Sequence, residues 1–113
     1  MTFKSKVIEL PSGKISIREW DNRQDNDCYK RAIMSVGDPN DPRLKHLIVQ
    51  ESEIWRIAYA VWLGDGHVKG KTLEETYKRI QDLPISESHK LAGEYTDFVK
   101  ELSGMVGGDV KKK

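Results

Sequence analysis

The stretch that decides the fold is Asp41 to Leu63, D-P-R-L-K-H-L-I-V-Q-E-S-E-I-W-R-I-A-Y-A-V-W-L, which Gly64 follows. Asp41 is a favourable N-cap residue, and Pro42 suits the first helical position because its φ is already helical. At about 100° per residue, Lys45, His46, Glu53 and Arg56 form a polar face. The opposite face is apolar, so the spacing predicts an amphipathic helix of about 30 Å with this face buried: Leu44, Leu47, Ile48, Ile54, Trp55, Ala58, Tyr59, Val61 and Trp62.

The last two turns of this helix, Ile57 to Leu63, are apolar nearly all round. A segment of this kind has to be covered from more than one side, either by the rest of the chain or by a partner. Tryptophan is the residue that most often anchors interfaces, whereas burial in the core suffices to explain Trp55. The pattern predicts self-association or partner binding through Tyr59, Trp62 and Leu63.

Length and charge limit the classes of protein to consider. A chain of 113 residues fits one domain, which we place at 1–103. Its net charge of +1 gives no overall field that attracts nucleic acid or an acidic membrane, so neither is expected as a partner. Cys28 is the only cysteine, which excludes an internal disulfide and fits a reducing compartment. With no signal peptide and no apolar run of membrane-spanning length, a cytoplasmic location is expected.

The N-terminal region predicts a β-hairpin. Lys4 to Leu10 and Lys14 to Trp20 alternate as strands, and Pro11-Ser12-Gly13 joins them as a turn. A turn centred there would place Leu10 opposite Ile15, Ile8 opposite Ile17 and Lys6 opposite Glu19. One face would then be apolar and would need to lie on the helices, or the hairpin edges would pair with another chain.

Three further helices are predicted around the central one. The first runs from Asp25 or Asp27 to Val36, with Tyr29, Ala32, Ile33 and Val36 buried. Thr72 caps the next, with Glu75 completing a capping box, and Pro84 ends it. The last begins after Ser86 and runs to about Ser103, and residues 104–113 form a flexible tail. The fold class is therefore α+β, an N-terminal hairpin packed on a mainly helical domain of about four helices.

No catalytic, cofactor-binding or metal-binding residues are predicted. Gly70-Lys71-Thr72 matches the end of a phosphate-binding loop, but the position of its first glycine is Asp65. His46, His67 and His89 lie on different elements without the spacing of a metal pair. Cys28 is expected to be a small buried thiol.

Glu51 falls inside the apolar face of the central helix. A carboxylate in that position has to reach the rim, pair with a lysine or arginine, or bind a partner. A structural pairing is the expectation.

A family resemblance supplies a specific function. The opening V-I-E-L-P-S-G-K-I-S-I-R-E-W, Val7 to Trp20, and the later F-V-K-E-L-S, Phe98 to Ser103, resemble the tail assembly chaperones of tailed bacteriophages. The resemblance implies a non-enzymatic helper in the host cytoplasm that binds the tape-measure protein during tail morphogenesis.

Two other functions stay open on the sequence. One is a different phage baseplate or morphogenesis factor. The other is a small nucleic-acid-binding regulator using Lys69, Lys71, Lys78 and Arg79, which a strongly salt-dependent DNA affinity would distinguish. The sequence also leaves open whether the hairpin edge or the central helix forms the interface, and whether the chain is a homo-oligomer.

Overall fold

A computed structural model describes residues 3–66 and 69–111, with side chains for 3–66 and 69–103. In these residues, an antiparallel hairpin precedes four α-helices, which confirms the predicted α+β class. The elements are β1 (Ser5–Leu10), β2 (Gly13–Arg18), α1 (Asn22–Val36), α2 (Lys45–Val61), a π-helical turn (Trp62–Gly66, the π turn), α3 (Leu73–Gln81) and α4 (Ile85–Lys111).

The hairpin has a tighter turn than predicted. Leu10 lies opposite Gly13 and Ile8 opposite Ile15, so the predicted register is wrong by two residues. The loop is Pro11-Ser12 alone, and Gly13 already belongs to β2 with φ +139°, where glycine has no steric cost. Because an even shift leaves every side chain on its predicted face, the apolar face is still buried on the helices: Ile8, Leu10, Ile15 and Ile17.

The predicted ion pair at the open end of the hairpin is also wrong. Lys6 lies opposite Ile17, and its ammonium contacts the Glu94 carboxylate on α4 at 2.9 Å. Glu19 instead accepts a hydrogen bond from the Lys4 N–H. The Lys6–Glu94 pair therefore joins β1 to the last helix rather than one strand to the other.

Helix α1 begins earlier than predicted. The Asp21 carboxylate accepts from the Gln24 N–H at 2.9 Å, and the Gln24 side chain accepts from the Asp21 N–H at 2.8 Å. This reciprocal capping box fixes the start at Asn22, so a start at Asp25 or Asp27 is wrong.

Helix α2 begins later than predicted. The Asp41 side chain accepts from the N–H of Arg43, two residues on, and the Asp41 carbonyl accepts from the Leu44 N–H. These bonds close a tight turn ahead of the helix, which then starts at Lys45 without a side-chain cap. Asp41 is therefore a turn residue and not the N-cap.

Three side chains lie differently from the predicted helix faces. Tyr29 on α1 and Leu47 on α2 are 45% and 41% exposed, although both were expected to be buried. Arg56, expected on the polar face of α2, is mostly buried and bonded to α1. The face of α1 that is buried carries Cys28 and Ala32, which confirms the buried thiol.

The core surrounds the C-terminal half of α2. Every residue from Ile57 to Val61 is buried, and the hairpin, the other helices and the π turn supply the rest of the same cluster. Of the two ways to cover this segment, the chain itself provides the cover. Helix α4 contributes Leu91, Tyr95 and Phe98 to this cluster.

The π turn continues α2 past the predicted end at Gly64. Here the backbone passes so close to β2 that a Cβ on Gly64 would lie 2.4 Å from the Ser16 carbonyl oxygen. Only glycine permits this approach. His67 and Val68, which follow the π turn, lie outside the described residues.

The last two helices agree with the sequence at their boundaries near Thr72 and Pro84. Thr72 and Glu75 form the predicted capping box, and α3 ends at Gln81. Helix α4 starts at Ile85, so the predicted start after Ser86 is wrong, and its backbone runs beyond the predicted end near Ser103. The predicted tail, 104–113, lies outside the residues whose side chains are described.

Gly64→Ala should destabilise the fold, because the added Cβ would collide with backbone atoms that cannot rotate away. The expected loss in free energy of unfolding is about 1 to 3 kcal/mol or more, measured by urea unfolding. Gly93→Ala is the control, since nothing lies within 4 Å of its Cβ. Alanine there should stabilise α4 by about 0.5 to 1 kcal/mol. Similar small effects at both positions would contradict the close approach.

Candidate functional site

The three residues predicted to bind a partner lie together at the end of α2, but two of them are in the core. Tyr59 and Leu63 are 8% and 9% exposed. Trp62 is half-buried, meets the Tyr59 ring edge-on at 6.2 Å, and donates its indole N–H to the Lys71 carbonyl at 2.7 Å. The argument from an uncovered apolar segment therefore does not hold for Tyr59 and Leu63. A contact between Trp62 and a partner stays a prediction.

The Tyr59 hydroxyl belongs to a polar network between α1 and α2. It donates to Asp27 at 2.5 Å, and the same carboxylate accepts from the Arg31 guanidinium at 2.7 Å. Burial works to raise the pKa of Asp27, but these hydrogen bonds outweigh it and leave the pKa below its usual value. Burial, with the bond to Asp27, raises the pKa of the Tyr59 hydroxyl. Tyr59 is thus held neutral as a donor.

A second bridge joins the same helices. Asp25 accepts from the Arg56 guanidinium at 2.8 Å and from the Trp20 indole at 2.9 Å. Burial again works to raise the pKa of Asp25. The hydrogen bonds from Arg56 and Trp20 have the larger effect, so the pKa of Asp25 lies below its usual value. Trp20 also stacks on Tyr95 of α4, with ring centroids 5.7 Å apart. The bridge therefore connects three helices.

Arg31 extends the network to α3. Its guanidinium bonds the Glu74 carboxylate at 2.9 Å and lies 4.7 Å from the centroid of the Trp55 ring. The Trp55 ring also stacks on the Tyr77 ring, with centroids 4.1 Å apart. The Trp55 indole nitrogen is buried without a hydrogen-bond partner among the described residues. A groove of about 470 Å³ opens beside Arg31 and Trp55. Two of its charged side chains, Asp27 and Arg31, are bonded to each other.

Glu51 has a partner that the sequence did not suggest. The Tyr77 hydroxyl donates to the Glu51 carboxylate at 2.5 Å. Burial, together with this carboxylate, raises the pKa of Tyr77 to about 12. The expected structural pairing is therefore present, but the partner is a tyrosine hydroxyl and not a lysine or arginine.

A concave surface with a largely aliphatic lining lies between α2, α3 and α4, and we call it the three-helix groove. It encloses about 290 Å³. Ile85 stands 71% exposed beside it, at the start of α4. The lining is aliphatic apart from two polar side chains: Ile54, Ile57, Ile80, Gln81, Leu83, Ile85, Ser88, Leu91 and Ala92.

Sequence reasoning did not identify this groove. A signal was present, since Ile85 and Ala92 are seven residues apart and form a second apolar row beside the core row of α4. That row follows Pro84 directly and begins where the helix begins. The sequence could not show that α2 and α3 would lie opposite it.

Basic side chains gather on the other side of α3. Lys69, Lys71 and Arg79 line a pocket of about 420 Å³ together with Glu75. The Asp65 carboxylate lies 3.2 Å from the Lys69 ammonium, and Glu75 caps the backbone of Thr72. These carboxylates offset part of the positive charge of the pocket. At the N-terminus of α3, the Glu75 backbone N–H already donates to the Thr72 hydroxyl.

Cys28, His46 and His89 line none of the three concave surfaces described above. Burial raises the pKa of the Cys28 thiol to about 12, which keeps it protonated and unreactive. His46 and His89 are exposed, and no three potential metal-ligating side chains lie together in the described part of the chain. The described helices also include none that is long and apolar enough to cross a bilayer.

Comparison with protein-family models, with curated sequences and with solved structures gives no match for this chain.

The low pKa values of Asp25 and Asp27 make stability depend on pH. A carboxylate whose pKa is depressed in the folded state stabilises the fold above its unfolded pKa of about 3.9, and this contribution disappears as the pH falls through the folded pKa. We expect the melting temperature to fall below about pH 4.

Asp25→Asn should reduce that dependence and cost about 1 to 2 kcal/mol at neutral pH, a modest loss because the Asp25 side chain is 40% exposed. Thermal unfolding followed by circular dichroism from acid to neutral pH measures both effects. Asp97→Asn, on the exposed side of α4, is the control. An unchanged pH profile in Asp25→Asn would contradict the role given to the Asp25–Arg56 bridge.

Proposed function

We propose that this chain is a non-enzymatic protein that binds another protein, and that it acts as a tail assembly chaperone for a tape-measure protein. The observation that carries the first part is the three-helix groove, which presents aliphatic side chains from three elements around an open hollow. The second part comes from the resemblance of Val7 to Trp20 and of Phe98 to Ser103 to that family.

The occupant we infer for the groove is an amphipathic helix. Grooves walled by helices receive such a helix by taking up apolar side chains spaced three or four residues apart. A volume of about 290 Å³ admits a few aliphatic side chains but no complete domain. A long helical tape-measure protein would offer this spacing many times along its length.

Ile85 is the residue expected to contribute most to this binding. It is 71% exposed in the free chain, and a partner helix would remove it from water. Trp62 remains a candidate for a second contact, since its ring is half-buried at the end of α2. A different morphogenesis factor with a helical partner would use the same surfaces, and the identity of the bound protein distinguishes the two.

A nucleic-acid-binding regulator is the second candidate, supported by the three cationic side chains around one pocket. Phosphate contacts from Lys69, Lys71 and Arg79 would make the affinity fall steeply with salt. Asp65 and Glu75 in the same place favour the protein-binding function. Titration of labelled duplex DNA at two salt concentrations decides between them.

Ile85→Glu should keep the fold and lose the partner. Because Ile85 is exposed, circular dichroism should be unchanged, whereas affinity for a coexpressed tape-measure protein should fall about thirtyfold if Ile85 is an anchor. Co-purification followed by calorimetry measures this loss. Met34→Glu is the matched control, since Met34 is 87% exposed on α1 and lies outside the groove.

The outcomes separate the groove from the function. If wild type captures the tape-measure protein and both variants still do, the chaperone function stands and the groove is the wrong site. If wild type captures no helical partner, the proposed function fails.

A further inference from the structure

The outer edge of β1 has backbone groups without a hydrogen-bond partner among the described residues. The Glu19 N–H donates to the Lys4 carbonyl, so Lys4 and Glu19 form a hydrogen-bonded pair of the hairpin. Because hydrogen-bonded pairs alternate along an antiparallel ladder, the backbone groups of Lys6, Ile8 and Leu10 also point toward β2. The N–H and C=O groups of Ser5, Val7 and Glu9 therefore point away from β2. In the described part of the chain, no backbone hydrogen bond outside the strand pairing involves these three residues.

The two edges of the hairpin differ. At the outer edge of β2, Gly64 of the π turn lies against the Ser16 backbone, so another strand has no room there. The β1 edge is a regular six-residue strand without proline, glycine or bulge. Its central residue, Val7, is 58% exposed. An edge of this kind is a template for strand addition.

We propose that β1 pairs antiparallel with β1 of a second copy, with the two-fold axis at Val7. This register places Val7 opposite Val7 of the second copy and Ser5 opposite its Glu9. Every outward N–H and C=O of the three residues then has a partner, and the contact is isologous, as a two-fold dimer requires. The Ser5 hydroxyl can also donate to the opposing carboxylate.

Both neighbouring registers of the pairing between two β1 strands are less favourable. The occupant that we infer for the β1 edge is therefore a second copy in the Val7 register. A shift in one direction places Lys6 opposite Lys6 of the second copy, and like charges directly opposite are destabilising. A shift in the other direction places Ser5 opposite Pro11, which has no N–H to donate. Val7 is the most exposed apolar residue of the strand. Only the register centred on Val7 brings the Val7 side chains of the two copies together.

A charge-exchange experiment tests the pairing. In Val7→Lys and in Val7→Glu, two like charges would meet at the axis, so each variant should dimerise about tenfold more weakly than wild type. An equimolar mixture of the two should recover the dimer with one copy of each. Light scattering and sedimentation from about 1 μM to 1 mM give the dissociation constants. Val49→Lys and Val49→Glu are matched controls, since Val49 on α2 is 62% exposed.

Amide exchange gives an independent measurement. The N–H groups of Ser5, Val7 and Glu9 should exchange more slowly as the concentration of wild-type protein rises, and those in Val7→Lys should not. A wild type that stays monomeric to about 1 mM would overturn the proposal. The same conclusion would follow if the mixture failed to recover the dimer, or if the Val49 variants weakened it equally.

Discussion

The fold depends on the close approach between the π turn and the second strand. Gly64 lies against the backbone of Ser16, and this contact brings the hairpin over the end of α2. The apolar face of the hairpin and the segment from Ile57 to Val61 then belong to one buried cluster. A two-stranded hairpin is marginal alone in water, so the hairpin and this segment stabilise each other.

Polar contacts set the relative positions of the helices around that core. Two aspartates of α1 receive arginine, tyrosine and tryptophan donors, and Arg31 reaches α3 as well. Partly buried charges gain little net stability when paired but cost much when unpaired, so the network favours one arrangement of α1 over its alternatives. The same arrangement orients Tyr59 and Trp55 inward. The three-helix groove is an aliphatic surface that this packing leaves open.

The sequence predicts the elements well where one local signal decides them. The Thr72–Glu75 capping box is an example. It fails where two local signals compete, as at Asp41, whose side chain can close a turn as readily as cap a helix. The hairpin register failed for a different reason, because a two-residue and a three-residue loop are both compatible with the same alternation.

Long-range pairings were not predictable in the same way. Nothing local marks Arg56 as the partner of Asp25, or Tyr77 as the partner of Glu51, because each pair is far apart in the chain. Likewise, the aliphatic residues of the three-helix groove look like ordinary core residues in the sequence. Only the packing of α2 on α3 shows that Ile85 is left exposed. A binding surface formed by what packing does not cover can be found only after the core is known.

Helix α4 connects the two surfaces that we assign to binding. Its first turns line the three-helix groove, and Glu94, further along, bonds Lys6 on the strand proposed to pair with a second copy. Two chains joined at Val7 would present two grooves in a fixed relation. For a partner that repeats its apolar pattern, the second groove would bind at a high effective concentration, which can raise avidity by about 10² to 10⁴ without any new contact. Each groove, of about 290 Å³, could then bind weakly while the pair still held the partner proposed above.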